Sequence, residues 1–148
     1  MDDLMGAVLS FQDLRVGLRT RSAGHKIDQK QIVTFAKQFD PQPFHLDFEA
    51  ARHTVFGGLA ASGWHTAALT MRLNVEGGLP IAGGIIGLGG EIAWPHPVRP
   101  GDLLHVENEI AHLAQSRSRP DRGVVTVRSE TLNDRGEVVQ MCTMKILT

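Results

Sequence analysis

The chain has 148 residues, 42% of them hydrophobic, which is enough for one core and too little for two ordinary domains, so residues 1–148 are expected to form a single domain. Its 15 basic and 16 acidic residues leave a net charge of −1, which removes the broad positive field that nucleic acid or an anionic membrane would call for. One cysteine, Cys142, excludes an internal disulfide and suits a reducing compartment, so a cytoplasmic location is expected.

The N-terminal Met1-Asp2-Asp3-Leu4-Met5 is acidic where a secretory leader is basic, and export is not expected. A first strand is read near Leu14 to Arg21. Asp28 and Gln31 have the spacing of a capping box, which predicts a helix over Gln29 to Gln38. Ile32, Val33, Phe35, Ala36 and Phe39 recur at three- and four-residue steps and should form its apolar face. Next comes Phe39-Asp40-Pro41-Gln42-Pro43-Phe44-His45. A residue before proline is pushed out of the helical region, so Asp40 and Gln42 should be extended, with carboxylate and imidazole on a stiffened loop.

Asp47 to Arg52 fits one or two helical turns, and Gly57-Gly58 breaks the chain before a long apolar segment. Leu59 to Val75 is predicted as the central helix, with Ala60, Ala61, Gly63, Ala67 and Ala68 small enough for a sheet to approach its backbone. Arg72 closes this apolar run short of membrane-spanning length. The period then changes to two. Ile85 to Trp94 reads as a strand whose Gly87, Gly89 and Gly90 leave room for a neighbouring backbone. Leu104, Val106, Asn108 and Ile110 alternate with polar residues in the next strand. Val125 and Val127 lie in a further strand, joined through Asn133-Asp134-Arg135-Gly136 to Val138–Leu147 as an antiparallel hairpin. A strand, helices, then four antiparallel strands make an α+β protein whose sheet wraps one helix. Its open sheet edges favour a homodimer or a dimer of dimers.

Asp40 and His45 can serve acid–base chemistry, and they can equally be structural, with His45 bonding a loop carbonyl and Asp40 capping a turn. No metal is expected, because the histidines show no HxH, HxxxH or HxxEH spacing and Cys142 has no soft partner. His65 should be a hydrogen-bonded core histidine, and His53, His96, His105 and His112 exposed or in turns. Gly83 to Gly90 lacks the Lys-Ser/Thr of a nucleotide loop, and Ser62-Gly63 lacks the strand and preceding glycine of a nucleophile elbow. Arg117, Arg119 and Arg122 form a basic tip that fits either the phosphates of coenzyme A or plain solvation.

With Asp40, Pro43 and His45 in place, the chain resembles the MaoC-like dehydratases, which include the (R)-specific enoyl-CoA hydratases and have the hot-dog fold, an antiparallel sheet around a long helix. Phe35-Ala36, Asp47, Ala50 or Ala51, Gly58-Leu59 and Pro100-Gly101-Asp102 extend the match. Gln42 stands where the family has asparagine, Phe44 where it has an aliphatic residue, and Phe39 where it usually has glycine. The resemblance implies a hydro-lyase acting on an enoyl-CoA thioester with no cofactor beyond the coenzyme A of its substrate. Asp40 and His45 would hold water and move its protons. Gly58, at the start of the predicted central helix, would offer an oxyanion amide, and Ser62 and Thr66 would lie near the substrate. An acyl-CoA thioesterase and a non-catalytic acyl-thioester-binding subunit are the alternatives.

Overall fold

The computed structural model describes residues 8–148, so the acidic N-terminal pentapeptide lies outside the described residues. Among these residues no helix is long and apolar enough to cross a membrane. In chain order the elements are β1 (Arg19–Arg21), β2 (His25–Lys26), α1 (Gln29–Phe39), α2 (Pro43–Leu46), α3 (Phe48–Arg52), α4 (Gly63–Leu73), β3 (Ile86–Ala93), β4 (Leu103–Gln115), β5 (Gly123–Leu132) and β6 (Val138–Leu147). The sheet runs β1-β4-β5-β6-β3, with β2 also pairing β4, and every named pair is antiparallel. It is the expected α+β hot-dog architecture, with α4 as the helix that the sheet wraps.

Each side of this sandwich follows from residue pattern. β4 turns Leu104, Val106, Asn108 and Ile110 inward, as its alternation requires, and β5 adds Val125 and Val127. From α4, Thr66, Leu69, Thr70 and Leu73 meet them at helical spacing. The glycine-rich β3 lies close on β6: a Cβ at Gly90 would come within 2.8 Å of the Met144 backbone. That contact explains why the strand carries glycine despite its low strand propensity.

Four expectations need correction. The first strand is only Arg19–Arg21, because Gly17, at φ 90°, turns the chain just before it. Phe39 does not complete the apolar face of α1; it is 63% exposed, while Ile32 and Ala36 are buried. The proline segment is not entirely loop, since Pro43 opens the short helix α2 and carries His45 on it. Proline suits a first helical position, where its missing N–H costs no bond. Finally, the central helix begins at Gly63, not Leu59. Ala60 N–H bonds the Phe44 carbonyl at 3.1 Å and Ala61 N–H the Val98 carbonyl at 2.9 Å, so tertiary pairing holds these alanines extended against their helical propensity.

Candidate active site

α1 ends by handing its last amide bond to Asp40, whose N–H donates to the Ala36 carbonyl at 2.9 Å. α2 then lifts His45 back toward it, and Asp40 Oδ2 lies 3.3 Å from His45 Nε2. Both side chains are largely withdrawn from solvent, at 17% and 6% exposure respectively. The other ring nitrogen of His45, Nδ1, is 2.6 Å from the Ala60 carbonyl. A carbonyl can only accept, so Nδ1 carries a hydrogen, and Nε2 is the ring nitrogen turned toward Asp40.

Asp40 is itself held on both oxygens. Ser62 Oγ donates to Oδ2 at 2.6 Å and Gln42 Nε2 donates to Oδ1 at 2.6 Å. Burial pushes the carboxyl pKa up, but these two hydrogen bonds and the neighbouring His45 outweigh it and hold the group below its ordinary range. The glutamine that replaces asparagine therefore grips the carboxylate from two residues away.

His45, Gly63, Thr66, Trp94, Val139 and Arg99 are among the residues lining a cavity of about 410 Å³ at the N-terminal end of α4. A larger groove of about 640 Å³ lies elsewhere, beside Gly83 and Gln115, but among the described residues Arg122 is the only titratable side chain that lines it. The smaller cavity is where an acid–base group meets a helix start. Ser62 caps that helix, its Oγ accepting from Trp64 N–H at 3.3 Å and its carbonyl from His65 and Thr66 at 3.0 and 3.2 Å. Gly63 N–H has no acceptor among the described residues, and the aligned peptide dipoles of α4 make it a ready donor.

Of the expected site residues, the structure brings Asp40, His45 and Ser62 into one hydrogen-bonded group and sets Thr66 on the cavity wall. Gly58 is the exception. It lies ahead of the helix start, and Arg99 Nη1 donates to its carbonyl at 3.0 Å and to that of Leu59 at 3.3 Å, with Nη2 on Phe56. The helix-terminal amide expected of Gly58 belongs to Gly63, because the helix starts late. Gly63 and Arg99 gave no local signal; each matters through the extended segment between them. His65 also departs from expectation. It stacks on Phe35 with ring centroids 4.5 Å apart, yet its buried Nδ1 has no hydrogen-bond partner among the described residues. Burial, with His25 nearby, lowers its pKa.

Residues 15–133 match the family model described as a MaoC like domain. A crystal structure of the MaoC-like dehydratase from Rhodospirillum rubrum is similar at 61% identity and a TM-score of 0.92, covering 95% of this chain and 96% of that one. The 3-hydroxybutyryl-CoA dehydratase of Methylorubrum extorquens is 35% identical over 114 residues, 76% of this chain and 70% of its own length. The uncharacterized protein YdeM of Bacillus subtilis is 31% identical over 130 residues, 86% of this chain and 89% of its own. The extent of the domain match, together with these likenesses in sequence and fold, shows that the chain belongs to the MaoC-like dehydratase family.

Proposed function

We propose that the protein reversibly hydrates an enoyl-CoA thioester to the 3-hydroxyacyl-CoA. The observation that carries this reading is the 3.3 Å approach of Asp40 Oδ2 to His45 Nε2 beside the cavity at the start of α4. In the proposed mechanism one water bridges the two groups. Its oxygen attacks C3 while the pair takes one of its protons, and electron density moves to the thioester oxygen, where the Gly63 amide stabilises it. The pair then returns that proton to C2. The elements of water have added across the double bond, and Asp40 and His45 end as they began. Because base, acid and oxyanion donor all come from the chain, the step calls for no metal or redox cofactor.

The substrate class draws support from the named activity of the Methylorubrum relative, whose substrate is also a short acyl-CoA. We place the enzyme in the cytoplasm as a homodimer joined through β3, which ends the sheet and exposes Ile86 and Leu88. Crotonyl-CoA is the test substrate. The enoyl absorbance should fall with the thioester intact; release of free coenzyme A instead would show hydrolysis, and binding without turnover a non-catalytic subunit. Asp40→Asn and His45→Ala should each fold and lose at least ~10²-fold in kcat/KM. Near-wild-type turnover by either variant contradicts the mechanism.

A further inference from the structure

Four side chains are hydrogen-bonded in series inward from the catalytic cavity, and the first of them, Trp94, lines it. Trp94 Nε1 donates to Gln140 Oε1 at 3.0 Å, Gln140 Nε2 donates to Thr70 Oγ1 at 3.3 Å, and Thr70 Oγ1 and Thr131 Oγ1 share a hydrogen bond at 2.6 Å. Gln140 and Thr131 are 2% and 1% exposed. Trp94 and Val139 line the near side, with the catalytic cavity. Beyond them, Gln140, Thr70, Ala67 and Ile92 line a separate and mostly apolar cavity of about 70 Å³.

Gln140 reaches this position through an irregularity of the sheet. The β5–β6 register pairs Thr131 with Gln140 and Leu132 with Val138, so Val139 is an extra residue on β6. A bulge of this kind lets two consecutive side chains face the same way, and Val139 and Gln140 are both buried. Without it, a residue next to an inward Val139 would point outward. The bulge thus sends a polar amide into the interior, where Trp94 and Thr70 satisfy it and Thr131 in turn bonds Thr70.

The wall crosses the path that an acyl chain would take. A thioester oxygen on the Gly63 amide lets the acyl tail run along α4, past Thr66 and toward Thr70, which lies about 10 Å further along the helix axis than Gly63. A four-carbon chain stops short of that level. An eight-carbon chain must push through it, which would part the Gln140 hydrogen bonds and leave buried donors without acceptors.

We propose that the Trp94–Gln140–Thr70–Thr131 chain is the closed end of the acyl pocket and restricts the enzyme to short enoyl thioesters. The inference rests on the hydratase reading above, and Gln140 acts in it as a specificity determinant rather than a catalytic residue. The experiment measures kcat/KM for crotonyl-, hexenoyl- and octenoyl-CoA. For the wild type, the value should fall at least tenfold from four carbons to eight. Gln140→Ala joins the two cavities and should raise the octenoyl-to-crotonyl ratio at least tenfold, and adding Ala67→Leu, which fills the small cavity, should reverse the gain. Should Gln140→Ala fail to fold, Gln140→Asn keeps an amide, withdraws it by one carbon and should move the ratio the same way. A wild type that hydrates octenoyl-CoA as well as crotonyl-CoA, or folded variants whose ratio is unchanged, overturns the closed pocket while leaving the catalytic reading in place. Absence of hydration at every chain length overturns both.

Discussion

Asp40 shows how much of a candidate catalytic group is made by its neighbours. Its carboxyl would be raised by burial alone, and it is lowered because Ser62 and Gln42 each donate to it, with His45 adding a smaller favourable charge interaction. A depressed folded pKa adds stability at pH values above the ordinary 3.8 and loses that contribution as the pH falls through the folded value. Activity should follow the same sign if the ionised carboxylate holds the water. Ser62→Ala removes one donor, so the Asp40 pKa should rise and the acid limb of the kcat/KM profile move to higher pH. A limb that stays in place would restrict Ser62 to capping α4. Asp40 and His45 stood out in the sequence as a carboxylate and an imidazole on one proline-bound segment, while Ser62 and Thr66 entered only through the family resemblance. That Gln42 holds the carboxylate, and that the Ala60 carbonyl faces His45 Nδ1, depends on bonds that spacing does not show.

At the scale of elements, local chemistry and tertiary pairing give different results in two helices. α1 begins where its capping box requires: Asp28 Oδ1 accepts from Gln31 N–H at 2.8 Å, and Gln31 Oε1 accepts from Asp28 N–H at 3.1 Å. Asp28→Ala should cost about 1 kcal/mol in urea unfolding, with kcat/KM of the folded enzyme unchanged, since the cap lies at the far end of α1 from Asp40. α4 starts four residues later than its apolar run, because Ala60 and Ala61 bond Phe44 and Val98 instead of helical partners. The delay has a functional consequence. It sets the Ala60 carbonyl against His45 and moves the free helix-terminal amide to Gly63, where a Cβ would come within 2.7 Å of the Trp94 ring. Glycine is therefore required there for space as well as for the proposed oxyanion contact.

For the whole molecule, β3 is the point of exposure. It pairs with β6 on one side and ends the sheet on the other, with Ile86 and Leu88 each 54% exposed and only Glu91 charged along its length. An exposed apolar edge of this kind favours pairing with a second copy over remaining in water. Sedimentation should give a dimer for the wild type, and Leu88→Lys should shift it toward monomer at micromolar concentration. A wild type that sediments as a monomer removes the proposed interface.

Alternation in β4 and β5, the Asn133–Gly136 turn and the capping box are local or short-range signals, and residues alone were enough to read from them the α+β class, the hairpin and the start of α1, whereas the Asp-Pro-His segment read equally as structural until the family resemblance was added. The start of α4, the bulge that turns Gln140 inward and the assignment of the free amide to Gly63 were decided only in the folded chain. Each depends on hydrogen bonds between segments far apart in sequence, where a paired backbone group outweighs the few tenths of a kcal/mol, roughly, that propensity contributes per residue.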